Sequence, residues 1–111
     1  MPQPWSVEFV NDNAEDEFRE LPADVRAKLV HIAEMIEALG LPQVSKPHVK
    51  QVEGKIWEMR ASGESGHARG LYATAPGQRV VMLNFFQKKS NKVPKKKIRL
   101  ARDRMEELAD A

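Results

Sequence analysis

The chain has 111 residues, of which 41% are hydrophobic and 31% charged, with a formal net charge of +2; such a length carries one ordinary core, so a single domain over residues 1–111 is expected. With no cysteine at all, disulfide staples, Cys-ligated zinc and thiol catalysis are excluded, and a reducing cytoplasm suits the chain. No run approaches the roughly 20 apolar residues of a bilayer span, and the start Met1-Pro2-Gln3-Pro4-Trp5 lacks the basic-then-apolar build of a signal peptide, so neither export nor a membrane partner is expected.

The +2 is a cancellation. Residues 1–45 hold three basic side chains against nine acidic ones, a net of −6, and residues 46–111 hold fifteen against seven, a net of +8. Between Lys88 and Arg104 there are nine basic residues and one acid, Asp103. Such a block is either a solvated face or the footprint of a polyanion.

In chain order, Trp5-Ser6-Val7-Glu8-Phe9-Val10 alternates as a half-buried strand does, which predicts a strand over residues 5–10. Asn11, Asp12 and Asn13 offer caps, and the acids from Glu15 to Glu17 suit the first turn of a short helix over residues 14–20. After Pro22 a longer helix is predicted from Val25, Leu29, Ile32, Ile36 and Leu39, which make one apolar stripe that Gly40 and Pro42 end. Residues 41–50, punctuated by Pro42 and Pro47, read as a connector.

The second half is strand-like. Over residues 55–61, Trp57 and Met59 alternate with Glu58 and Arg60, so one face of a strand carries bulk and the other charge. Ser62 to Gly66 is a turn-rich break, and a strand over residues 68–74 ends at Pro76-Gly77. Residues 80–86 are apolar on both faces apart from Asn84, as a central strand covered above and below would be. Pro94 suits the start of a last helix with Ile98, Ala101, Met105 and Leu108 on one side. The sum is an α+β domain of order β-α-α-β-β-β-α: a small antiparallel sheet, an N-terminal helical hairpin and a C-terminal helix, with the helices on one face and the first strand returning beside the last.

His31, His48 and His67 show no HxH or HExxH spacing, so neither a metal nor any other cofactor is expected. GxxxxGK[ST], GxGxxG and GxSxG are all missing, which removes support for nucleotide cradles and serine-hydrolase elbows. What remains is cations on strands: Arg60, Arg69, and Lys88-Lys89 just past the core strand. An arginine beside a core faces either an acid, here Glu58 or Glu53, or an anion such as a phosphodiester, whose charge grows when a nucleophile adds to phosphorus. Lys92, Lys95, Lys96 and Lys97, with Lys50 and Lys55, are the candidates for sequence-independent contacts to an RNA backbone.

Three runs, Gly54-Lys55-Ile56-Trp57-Glu58-Met59-Arg60, Arg69-Gly70-Leu71-Tyr72 and the stretch from Val81 through Phe85-Phe86-Gln87-Lys88-Lys89 to Pro94, resemble in order and spacing the RelE/HigB toxin superfamily. The nearer resemblance is to its phage-derived HigB-like branch, with a W-E-x-R strand, an R-x-x-Y strand and an F-x-K-K-x-x-K-x-P junction. The resemblance implies a RelE-like fold and the toxin of a type II toxin-antitoxin pair, a ribosome-dependent mRNA endoribonuclease that acts without metal by attack of the ribose 2′-hydroxyl. It implies as partners mRNA, the ribosome and a cognate antitoxin, a helix-turn-helix protein of the same operon through which alone operator DNA is met. It makes Arg69 the transition-state cation, Lys88 and Lys89 the basic pair after the core strand, and Glu58 and Arg60 the charged face of the W-E-x-R strand; the Tyr or His that several relatives carry near the C-terminus has no counterpart after Phe86, and of the residues present Glu58 or His67 is the candidate base. The alternative reading is a protein of the same fold that binds RNA or its antitoxin without cutting.

Overall fold

A computed structural model describes residues 4–44, 48–89 and 92–109; Pro47 and the Ser90-Asn91 part of the basic junction lie outside them. Strand β1 (Ser6–Phe9) leads to Asn11, whose side-chain oxygen accepts the Ala14 N–H at 2.9 Å and so starts α1 (Asp12–Arg19). Helix α2 (Ala23–Leu39) buries Val25, Leu29, Ile32 and Ile36, the expected stripe. Leu39 departs from that stripe and is 61% exposed, because the helix stops there: Gly40 takes φ 87°, a region open to glycine, and the Trp5 ring packs against it.

The connector is shorter than the sequence suggests. After a single 3₁₀ turn (Leu41–Gln43) the chain enters strand β2 (Val49–Glu53), an element that the sequence reading missed. Its alternation is broken by a register shift between Gln51 and Glu53, and as an edge strand it exposes most of its side chains. Then come β3 (Ile56–Gly63), β4 (Gly66–Ala75) and β5 (Arg79–Lys88), and α3 (Lys95–Ala109) closes the fold. The supposed break at Ser62 to Gly66 is a tight hairpin: Gly63 pairs with Gly66, leaving two turn residues.

The sheet order is β1-β5-β4-β3-β2. The first strand does return beside the last, but runs parallel to it, so the sheet is mixed, with four antiparallel strands and one parallel edge. The helices also take both faces rather than one. Val25, Leu29, Ile32 and Ile36 of α2 pack with Met59, Tyr72, Val80 and Met82, whereas Ile98, Ala101 and Met105 of α3 pack with Ile56, Leu71, Ala73, Leu83 and Phe86. Because side chains alternate along a strand, one set of residues faces α2 and the interleaved set faces α3. This is why β5 is apolar on both sides, as the sequence indicated.

Two devices hold the centre. In β5 a bulge sets Leu71 opposite Asn84 but Tyr72 opposite Met82, so Leu83 is the extra residue. Leu83 and Asn84 thereby both turn toward α3, where the Asn84 amide donates to the Lys97 carbonyl at 3.1 Å. Beyond the end of β1 the exposed edge of β5 is capped by Glu17, which accepts from the Phe85 N–H, and by Arg104, which donates to the Leu83 carbonyl. The two caps meet in a double hydrogen bond, 2.8 Å for each.

Gly70 leaves room on the sheet for the Met82 and Phe85 side chains of β5 to fold over it, since a Cβ there would fall 2.7 Å from Met82 Cε and 2.8 Å from Phe85 Cε1. Gly70→Ala is therefore expected to cost about 1–3 kcal/mol through overpacking, read as a lower urea midpoint with unchanged slope.

Candidate functional site

The register of four strands assembles the charged residues. Across β3 and β4, Arg60 lies opposite Arg69 and Ser62 opposite His67. Across β4 and β5, Arg69 lies opposite Phe86 and His67 opposite Lys88. Lys50 of β2 lies opposite Glu58. All of these sit in the rows that face α3, but α3 packs on Ile56, Leu71, Ala73, Leu83 and Phe86 at one end of the rows. The cations occupy the other end.

At the centre is a buried carboxylate. Glu58 is 4% and Arg69 5% exposed; Arg69 Nε stands 3.6 Å from one Glu58 oxygen and Arg60 Nε 3.7 Å from the other. Both distances exceed a hydrogen bond, and Glu58 Oε2 and Arg69 Nε have no hydrogen-bond partner among the described residues. Arg69 Nη1 donates to the Ala68 carbonyl at 3.0 Å. One carboxylate thus balances two guanidinium groups and is fully satisfied by neither. Buried polar atoms are normally paired, so this arrangement costs stability and carries donor capacity for a further acceptor.

The cations act on one another. Burial is the largest cause pulling the Arg69 guanidinium below its ordinary value; Glu58 opposes the shift and Arg60 adds to it. The Lys88 ammonium is likewise pulled down, first by burial and then by Arg69, with Arg60 and Lys50 adding and Glu58 opposing. Four cations and one acid therefore make a single electrostatic unit, which an added anion would relieve. At its edge the His67 ring is held by a 2.7 Å hydrogen bond between Nδ1 and Ser62 Oγ.

Of the residues that the sequence singled out, Arg60, Arg69, Lys88, Glu58, His67 and Lys50 are brought together. Lys97 lies nearby, its ammonium 5.7 Å from the centroid of the Phe86 ring. Lys89 is exposed just past the end of β5 and is not among the charges that act on Lys88. Lys92, Lys95 and Lys96 are exposed around the start of α3. Lys55 belongs elsewhere, in the turn from β2 to β3, where it lines an apolar groove of about 1190 Å³ with Leu41, Val44, Trp57 and Tyr72. Arg102 and Arg104 of the basic block are engaged by Glu53 and Glu17.

A second groove, of about 490 Å³, runs from the Arg60–Arg69 pair over the edge of β3 toward α2. Its walls hold His31, His48 and His67, every histidine of the chain, together with Lys28. The sequence reading gave His48 no role, since its place depends on the overlooked edge strand: the His48 carbonyl accepts the Arg60 N–H at 2.8 Å. Among the described residues no group of three His, Cys, Asp or Glu could hold a metal ion, and no helix is long and apolar enough to cross a membrane.

A sequence profile of phage-derived Gp49-like proteins matches residues 16–106. The chain belongs to the Gp49-like family. Its fold is that of the E. coli toxin RelE, with which, as a doubly substituted variant in the free state, it superposes at a TM-score of 0.58 over 96% of each chain with 13% sequence identity. None of the curated proteins gives a significant match. The RelE-like architecture expected from the three runs is thus borne out for this Gp49-like protein, in family and in fold.

The lowered Lys88 pKa has a sign that can be tested. Because the folded chain gives up this proton more readily than an unfolded one, charged Lys88 works against folding at neutral pH, and the penalty is relieved as pH rises through the folded value. Lys88→Met is expected to melt higher than the parent at pH 7, with the gap closing at alkaline pH. Glu58→Gln, which removes the one supporting charge, is expected to lower the Lys88 midpoint further, as followed by NMR of the lysine side chain.

Proposed function

We propose that this Gp49-like protein is the toxin of a type II toxin-antitoxin pair and a metal-independent endoribonuclease that cuts mRNA on the ribosome. The observation that carries the reading is the convergence of Arg60, Arg69, Lys88 and Lys50 around one buried carboxylate, with an oriented imidazole, His67, at the edge. In the reaction the ribose 2′-oxygen attacks the adjacent phosphorus and the 5′-oxygen leaves, giving a 2′,3′-cyclic phosphate and a 5′-hydroxyl. Negative charge builds on the non-bridging oxygens in the transition state, where Arg69 and Arg60 donate and Lys88 adds a point charge. Arg69 meets the phosphoryl group with donors that Glu58 does not saturate.

Glu58 takes a different role from the one expected of it. Buried and shared between two guanidinium groups, it positions Arg60 and Arg69, while proton transfer falls to His67. Lys50 and Lys97 flank the centre, and Lys92, Lys95 and Lys96 extend the positive surface along the RNA backbone. Holding the mRNA in place belongs to the ribosome, and such positioning supplies up to about 7–11 kcal/mol in well-oriented systems. The antitoxin, a helix-turn-helix protein encoded alongside, silences the enzyme by covering the cationic face in the cytoplasm, and operator DNA is reached through it.

The test is cleavage of ribosome-bound mRNA by purified protein. The expected products carry 5′-hydroxyl ends within translated codons, and added antitoxin abolishes them. Arg69→Ala would leave Glu58 with Arg60 alone, so the sharper variant is Arg69→Lys, which keeps the charge but loses the planar fork; it is expected to cut about 10²–10³-fold more slowly with a nearly unchanged melting temperature. A wild-type protein that binds RNA but leaves it intact would establish the binding reading instead.

A further inference from the structure

We infer that His48 is the second proton-transfer group, the general acid that shares with His67 the groove holding the Arg60–Arg69 pair. This deepens the ribonuclease reading and rests on it. The chemistry requires two such groups, because a proton must leave the 2′-hydroxyl and another must reach the departing 5′-oxygen. In an in-line displacement they stand on opposite sides of phosphorus, so the question is which residues flank the cations.

Register answers it. His48 enters β2 at the level of Arg60, to which its carbonyl is bonded; Arg60 on β3 lies opposite Arg69 on β4, and His67 precedes Arg69 by two residues on that strand, opposite Ser62. The two imidazoles thus stand on the strands either side of β3. At about 4.8 Å per strand across the sheet and about 3.4 Å per residue along it, their backbones are separated by roughly 12 Å on the diagonal. Both line the same groove and both flank the guanidinium pair.

In this assignment His67 takes the tautomer whose Nδ1–H donates to the Ser62 hydroxyl across their 2.7 Å contact, which leaves Nε2 its lone pair; Nε2 then takes the proton of the 2′-hydroxyl as the 2′-oxygen bonds to phosphorus. The His48 imidazolium gives its proton to the 5′-oxygen as the bond from phosphorus to that oxygen breaks. One proton is taken up and one given, and no co-reactant is consumed. The charged residues that line the groove with His48 are Arg60 on β3, Arg69 on β4 and Lys28 on α2, and the electrostatic unit around the two arginines adds Lys50, Lys88 and Glu58. The one acid among them, Glu58, is spent on the arginines.

Single-turnover cleavage of ribosome-bound mRNA as a function of pH tests the pair. The parent is expected to give a bell-shaped profile, His67→Gln to lose its acid limb and His48→Gln its alkaline limb. Each variant should slow by at least about 100-fold at the optimum, with affinity for cytidine 3′-monophosphate held within about threefold. His48→Gln that cuts within threefold of the parent, or keeps the alkaline limb, overturns the proposal and leaves the ribonuclease reading standing. Should that variant fail to fold, NMR titration of the wild-type histidines decides: both the His48 and His67 rings must respond to the nucleotide and hold their protons to higher pH in its presence, and a silent His48 overturns the pair. Two responding rings with intact mRNA would defeat the ribonuclease reading and the pair together.

Discussion

Much of this molecule is organised around a carboxylate that cannot satisfy its neighbours. Glu58 is buried between Arg60 and Arg69, near enough to hold both by charge yet beyond hydrogen-bond distance of either Nε. Without it the four strands would bring Arg60, Arg69, Lys88 and Lys50 into mutual repulsion in a half-dry setting. One negative charge among four positive ones keeps the cluster folded and electrostatically unfinished. A buried pair is seldom a net source of stability, and a charge cluster left unsatisfied at one end of a sheet makes that end the candidate functional site.

That cluster needs a sheet that is stiff and correctly registered. The bulge at Leu83 turns Leu83 and Asn84 together toward α3 and resets the alternation beyond them, and the Met82 and Phe85 side chains pack over Gly70 next to Arg69. The Glu17 and Arg104 clamp closes the edge of β5 where β1 stops. Phe9, Phe18 and Phe85 pack edge to face or tilted at centroid distances of 5.1–5.9 Å on the same side as that clamp. The two helix layers differ in charge, acidic for α1 and α2 and basic for α3, so the net +2 of the whole conceals opposite surfaces. The acidic layer is not inert, because Glu17 and Asp24 reach back, the first to α3 and the second to the β3–β4 hairpin at Ser65.

Periodicity made β1, α1, α2, β3, β4, β5 and α3 legible, because each carries a run of at least four residues with a clear inside and outside. Strand β2 escaped it for a physical reason: Val49 and Val52 are three apart, the spacing of a helix rather than a strand, since a bulge lies between them. Leu39 misled in the opposite way, by continuing a helical stripe past the point where there is sheet left to cover. The basic block between Lys88 and Arg104 looked uniform. In the fold Arg102 and Arg104 clamp α3 to the body, Lys88 and Lys97 lie at the cationic end, and Lys89, Lys92, Lys95, Lys96 and Arg99 are exposed.

By itself the sequence determined the class of the fold and the short set of strand cations, because hydrophobic alternation and residue type are local properties that survive without coordinates. Tertiary structure alone decided which face the cations share, that Glu58 is spent on arginines, and that His31, His48 and His67 meet in one groove. Those facts depend on register, and a shift of one residue would send the entire row to the opposite side of the sheet. Register is set by bulges, tight hairpins and pairings between strands distant in the chain, none of which a linear pattern records.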